Sequence, residues 1–183
     1  TFLDSLFTTS SKLTGHKQPD ITGMIGQYVH GNEPSHQIAY EYNYAGQPWK
    51  TQAMTRRIMN EMYHAAPDGL AGNEDCGQMS AWYVMSALGF YAVCPGGSQY
   101  AIGSPIFSNA TIRLENQKQF TVKTSGSGTY IQSARLNGKL YNKSYLEYSD
   151  INNGGLIEFT MGSEPNKNWG SGVTEVPVTK IDN

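Results

Sequence analysis

The sequence predicts an α+β protein, and three observations carry that reading. Up to residue 92, apolar residues recur at helical spacing. Beyond Pro95 they alternate with a period of two, and Gly, Asn and Ser gather at the breaks between the alternating runs. Residues 1–92 therefore read as helical hairpins, and residues 93–183 as an antiparallel β region forming part of a sandwich.

The helices follow in order. "EPSHQIAYEYNYAG" places a Pro in its first turn, carries Ile38, Ala39 and Tyr42 on one side and stops at Gly46. Pro48 opens the next helix, "PWKTQAMTRRIMNEMYH". Its stripe of Trp49, Ala53, Met54, Ile58 and Met62 is expected to face the core, with Arg56, Arg57 and Glu61 off it. A third helix runs from about Gly77 to Leu88 and is apolar all round, which predicts burial on every side. Gly89 suits the left-handed position that ends a helix. Short connections make such helices antiparallel neighbours. Three buried helices are too few to close a helical domain, so a piece of a larger chain is expected. For such a piece, starting at "TFLDSLFTT" without Met and in mid-pattern, the lack of a signal peptide says nothing about compartment.

In the second half, "ATIRLE", "QFTVKT", "YIQSARL", "KLY" and "LIEFTM" read as short strands. Asn137-Gly138 is a two-residue hairpin signal, and Asn153-Gly154-Gly155 marks another turn. The tail after Trp169 reads as loose.

Composition narrows the function classes. The 15 acidic and 13 basic residues nearly cancel, and no basic stripe is present, which argues against nucleic acid and anionic membranes as partners. The longest apolar run, within residues 81–93, is broken by Ser86 and Gly89, so no segment is fit for membrane insertion as a helix. Sparse charge with abundant Tyr, Gly and Asn leans towards a secreted or periplasmic, sugar-handling protein. Cys76 and Cys94 lack zinc-ligand spacing, and Cys76 reads as a small buried residue at a helix start.

Two polar clusters stand at helix starts. One is "YVHGNEPSHQ", with His30, Asn32, Glu33 and His36; the other is "GNEDCGQ", with Asn73, Glu74, Asp75 and Gln78. Such residues commonly cap helices or answer the helix dipole. Capping is the commoner use, but a carboxylate beside an apolar helix also suits acid–base chemistry, because a low-dielectric wall shifts its pKa. Both readings stand at this point. His16 and His64 read as solvated, and Trp49, Trp82 and Tyr83 as core. "GQMSAW" is no nucleophile elbow, and the glycines of "CPGGSQYAIGSP" are turns. Asn109-Ala-Thr and Asn142-Lys-Ser fit the glycosylation pattern. A carbohydrate-binding module is the rival class, with Tyr130, Tyr141, Tyr145 or Trp169 stacking on sugar. A structural domain is the third.

Three stretches, "HGNEPSHQIAYEYNYAGQPWKTQ", "GLAGNEDCGQMSAWYVMSALGFYAVCPGGSQYAIGSPIF" and "NGGLIEFTMGSEPNKNWG", closely resemble the C-terminal part of glycoside hydrolase family 92. These are calcium-dependent, exo-acting α-mannosidases abundant in Bacteroidetes. The resemblance implies a catalytic toroid of six helical hairpins, to which residues 1–92 would contribute. It further implies inverting hydrolysis of terminal, mainly α-1,2-linked mannose, a mannose-containing glycan as partner, and a periplasmic or extracellular location. By the same resemblance Asp75 matches the general base. Asn32, Glu33 and Asn73 match sugar-binding positions, and Glu33 and His36 match the calcium site, His36 through its backbone. Asn73 stands where many members carry a second acid, and Glu74 is implied to be structural. The general acid has no match upstream of "HGNEP". The fragment alone is therefore expected to be inactive and to need the remainder of its parent chain.

Overall fold

In the computed structural model, residues 1–15 and 21–178 are described, so His16 lies outside the described residues. Helix α1 (Phe2–Thr8) buries Phe7. Its Asp4 carboxylate accepts a hydrogen bond from Tyr42 Oη at 3.1 Å and an ion pair from Lys50 Nζ at 2.6 Å. A small hairpin follows, β1 (Met24–Ile25) and β2 (Tyr28–Val29), which helical periodicity did not anticipate. Gly26 sits in its turn at φ +62°, and a Cβ there would collide with the backbone of Leu6 and Phe7. Only glycine lets the hairpin press so closely onto α1.

The helix expected over "EPSHQIAYEYNYAG" is instead broken into 3₁₀ turns at Glu33–Ser35 and Ile38–Tyr40 and a single-turn helix α2 (Glu41–Tyr44). Pro34 brings no N–H, and the His36 carbonyl is already taken by Trp82 Nε1 at 3.0 Å. The tighter i→i+3 pattern then serves the local backbone, as in Tyr40 N–H to Gln37 O at 2.9 Å. Asn43, fully buried, donates to the carbonyls of Ile102 and Ser144 at 2.8 and 2.7 Å, tying α2 to the β half.

Helix α3 (Pro48–Met62) begins at the Pro as expected, but its buried face differs from the predicted stripe. Thr51, Gln52, Thr55, Ile58 and Met59 point inward, whereas Trp49, Ala53, Met54 and Met62 are half-buried. Two of the polar members find partners in place, while the Thr51 hydroxyl has none among the described residues. Gln52 Oε1 accepts Ile131 N–H at 2.9 Å, and Thr55 Oγ1 donates to Thr51 O at 2.9 Å. Helix α4 (Gln78–Leu88) ends at Gly89, φ +99°, whose N–H reaches the Met85 and Ser86 carbonyls. It is not buried on every side. Met79, Trp82, Ser86 and Ala87 are inside, but Ser80, Ala81 and Val84 are exposed, Val84 at 56%.

Two sheets form the second half. The smaller holds β3 (Phe90–Tyr91), β4 (Gln99–Ile102) and, further on, β9 (Tyr145–Glu147), all antiparallel. The larger is built from β5 (Asn109–Arg113), β6 (Gln119–Gly126), β7 (Tyr130–Leu136), β8 (Lys139–Leu140) and β10 (Gly155–Gly162), the last entered through helix α5 (Tyr148–Asn152). Its order is β5-β6-β10-β7-β8. β10 inserts between two sequence neighbours and runs parallel to β6, Gly155 opposite Phe120. The all-antiparallel expectation therefore fails at this pair. The chain leaves through β9 and α5 before returning, which is the long crossover that a parallel pair requires. Asn137 (φ +50°) and Gly138 (φ +78°) form the predicted β7–β8 turn.

The two sheets share one core of Phe90, Ile102, Phe120, Ile131, Leu146, Ile157 and Phe159. A second core, holding Phe7, Tyr28, Tyr40, Ile58 and Trp82, lies in the first half. The segment after Trp169 is docked rather than loose up to Val178. Glu175 O accepts Ser144 N–H at 2.7 Å, and Val178 N–H reaches Gln99 Oε1 at 2.9 Å.

Candidate active site

The two polar clusters, far apart in sequence, meet in space. Glu33 opens the first 3₁₀ turn, where Asn32 holds the capping position but makes no side-chain cap bond. Asp75 lies in the loop before α4. Neither Asp75 nor Asn73 caps that helix: Gly77 occupies the capping position, without any side-chain bond. The task falls to Glu74, whose carboxylate accepts Ser80 N–H at 2.9 Å and Ser80 Oγ–H at 2.7 Å. These two bonds hold the Glu74 carboxyl below its ordinary range.

Asp75, Cys76 and Gly77 take successive left-handed conformations, with φ of +51°, +58° and +90°. For non-glycine residues this region is strained by roughly 1–2 kcal/mol each, and such strain gathers at functional sites. The turn leaves Asp75 and Cys76 exposed, so Cys76 is not the small buried residue expected from sequence. It is closed by Gln78 N–H to Asp75 O and Met79 N–H to Glu74 O, both 3.2 Å.

The carboxyls of Glu33 and Asp75 are within hydrogen-bond reach of each other. Glu33 beside it is the main cause pushing the Asp75 pKa up, followed by partial desolvation and by the Glu33 charge. The hydrogen bond from Asp75 in turn pulls Glu33 down, helped by Glu33's own backbone N–H. Two carboxyls this close oppose each other's ionisation, which is why the one is pushed up and the other down. Glu33 Oε1 is buried and meets no hydrogen-bond partner among the described residues. Ionised, these hard carboxylate oxygens are of the kind a divalent cation such as calcium takes as ligands. Among the described residues no third His, Cys, Asp or Glu joins them, so further oxygens would have to come from carbonyls, water, sugar or elsewhere.

The two histidines lie underneath. His36 is buried, its Nε2 donating to the His30 carbonyl at 3.0 Å and its Nδ1 facing the Gln78 amide at 3.2 Å. Both ring nitrogens are thus engaged, and since the His36 carbonyl already accepts Trp82 Nε1, a cation there would have to share that carbonyl. His30, equally buried, sits between Tyr28 Oη at 2.8 Å and Tyr63 Oη at 2.6 Å, and Tyr63 donates to Met79 O at 3.1 Å. Burial, and then the neighbouring His36, lower the His30 pKa to about 3, so the ring is neutral. Sequence reading grouped His30 with its cluster but gave it no role. Its core position follows from Tyr28, two residues earlier on the unforeseen hairpin.

Elsewhere, His64 is exposed as expected, and Trp82 is fully buried. Of the four aromatics of the rival sugar platform, Trp169 and Tyr145 are buried, Trp169 Nε1 donating to the Tyr141 carbonyl at 3.0 Å, while Tyr130 and Tyr141 are half-buried. No helix among the described residues is long and apolar enough to cross a membrane.

Comparison with known proteins places this pair of carboxyls in context. Residues 1–163 match the glycosyl hydrolase family 92 catalytic domain. A protein described as an uncharacterized secreted glycosidase of Arthroderma benhamiae is 32% identical over 153 residues, covering 80% of this chain and 20% of its own. A family GH92 alpha-mannosidase of Bacteroides thetaiotaomicron, solved in complex with mannoimidazole, is 42% identical with a TM-score of 0.91, over 97% of this chain and 24% of that one. A family GH92 inverting mannosidase from the same organism is 38% identical with a TM-score of 0.81, over 96% and 25%. This chain thus spans between a fifth and a quarter of the length of these relatives. The chain belongs to glycoside hydrolase family 92.

Proposed function

We propose that residues 1–183 form the part of an exo-acting, inverting α-mannosidase that carries its general base, Asp75. The substrate is a glycan ending in mannose, mainly α-1,2-linked, met in the periplasm or outside the cell. The observation that supports this best is the contact between Asp75 and Glu33 at the mouth of α4. Inverting hydrolysis needs a base that takes a proton from water on one face of the sugar and an acid on the other. Those two groups stand roughly 6.5–9.5 Å apart. Glu33 is far too close to Asp75 to be that acid, since the two carboxyls lie within hydrogen-bond reach. Glu33 instead binds, and the acid is supplied by a part of the parent chain outside these residues. The 183-residue chain alone is accordingly inactive.

Once ionised, Asp75 is a stronger base than an ordinary aspartate, because the environment that raised its pKa favours taking up a proton. Exposure of Asp75 and Asn73 leaves both free to face water or sugar, and Asn32 and Asn73 orient hydroxyls by hydrogen bonding. Glu33 would hold calcium, with His36 contributing through its backbone. When bound, calcium supplies a hard positive centre for the vicinal hydroxyls of mannose. The exposed apolar strip of α4 around Val84 packs, in this reading, against other hairpins of the toroid.

Chelation tests the metal assignment. Treating the intact enzyme with EDTA is expected to remove most turnover, and calcium is expected to restore it. Glu33→Gln is expected to weaken calcium binding measured directly by calorimetry. Full activity after the metal has been stripped would overturn the calcium assignment while leaving Asp75 in place.

A further inference from the structure

The Glu33 turn and the Asp75 turn are joined below their carboxyls by one direct side-chain bond. His36 lies three residues after Glu33, and its N–H closes the turn on Glu33 O at 3.0 Å. Gln78 lies three residues after Asp75, and its N–H closes that turn on Asp75 O at 3.2 Å. The Gln78 amide then meets His36 Nδ1 at 3.2 Å. Each turn is thus held by a residue whose side chain grips its counterpart in the other turn.

Every partner in this arrangement is itself fixed. His36 Nε2 faces a carbonyl, that of His30, so the ring proton sits on Nε2 and Nδ1 is the acceptor for the Gln78 amide. The His36 carbonyl receives Trp82 Nε1, and the His30 ring stacks on that of His36 with centroids 4.8 Å apart. The Gln78 amide also donates to Tyr91 Oη at 3.2 Å. Two side chains whose rotamers are locked by packing and hydrogen bonds are what a site needs to hold its geometry.

We propose that Gln78 and His36 are positioning residues, a clamp whose hydrogen bond sets the spacing of the Glu33 and Asp75 carboxyls. The clamp rests on the reading of Asp75 as base, because its effect on rate passes through that group. The Gln78 amide is hydrogen-bonded to His36 and Tyr91 and to neither carboxyl, so its loss acts through the turns.

The test is Gln78→Met in the intact enzyme, which keeps the length of the side chain but removes the amide. The expected result is a fall in kcat on the order of a hundredfold, the scale of a misplacement of about 1 Å. KM stays within about threefold, as for an interaction that acts on the transition state rather than on ground-state binding. A crystal structure of the variant is expected to show the two carboxyls out of contact. The double variant Gln78→Met/His36→Phe is expected to lose no more than the larger single loss, because coupled groups are not additive. Parent-like kcat in Gln78→Met, or carboxyls still in contact, overturns the clamp, as does a double loss equal to the product of the singles. If the base assignment is at fault instead, Asp75→Ala keeps its turnover, and the carboxyl contact in the Gln78→Met crystal still decides the clamp.

Discussion

Replacing Asp75 by alanine in the intact enzyme is expected to lower kcat by about 10²–10⁴-fold, the range that a positioned general base contributes. The fold is expected to survive. Asp75 is exposed, gives no bond to the helix cap and pairs with no cation among the described residues, the capping having been taken over by Glu74. Relief of the left-handed strain at φ +51° does not follow, since alanine tolerates that region no better. Kinetics on terminal α-1,2-mannobiose, with a thermal melt on the same sample, checks both halves of the expectation. An unchanged melt with parent-like turnover would remove the base from this position. A loss confined to KM would make Asp75 a binding group instead.

The second large effect is structural. Trp82→Ala is expected to cost about 3–5 kcal/mol, the range for truncating a buried aromatic, against a total stability of about 5–15 kcal/mol. The Trp82 ring is fully buried, lies parallel to Tyr63 at a centroid distance of 6.0 Å and meets the edge of His30 at 4.5 Å. Its Nε1–H satisfies the His36 carbonyl, so truncation also leaves a buried acceptor unpaired. Trp82→Phe restores much of the packing but not that bond, and is expected to fall between the two. Denaturant midpoints of the three proteins measure the series. Equal midpoints for the parent and Trp82→Ala would mean that this aromatic stack does not hold the Glu33 turn.

How far the sequence could be read depended on whether the relevant forces were local. The ends of α3 and α4 were legible because Pro48 and Gly89 act on their own backbone, and Asn137-Gly138 set the β7–β8 turn for the same reason. The inward face of α3 was not legible. Gln52 and Thr51 look like surface residues until β7 supplies a partner for the Gln52 amide oxygen. The parallel pairing of β10 with β6 depends on a crossover that no local pattern announces. The docked tail, likewise, is held by bonds to Gln99 and Ser144, which lie far back along the chain.

The candidate site divides in the same way. Glu33, Asp75 and their neighbouring amides stood out as polar residues at helix starts, and the family resemblance gave them roles. Their proximity and the bond from the Gln78 amide to His36 are long-range facts, whereas the structural duty expected of Glu74 is met six residues away at Ser80. A residue's type and spacing say what it is able to donate or accept. Only the fold says what stands opposite.

One measurement reaches the central assignment without passing through rates: a crystal structure of the intact enzyme with mannoimidazole, the ligand already seen bound to a 42%-identical relative. The expected result is an Asp75 carboxylate accepting a hydrogen bond from a water on the face of the anomeric carbon opposite the leaving oxygen. An Asp75 side chain turned to bulk solvent, with neither that water nor the sugar within reach, would contradict it.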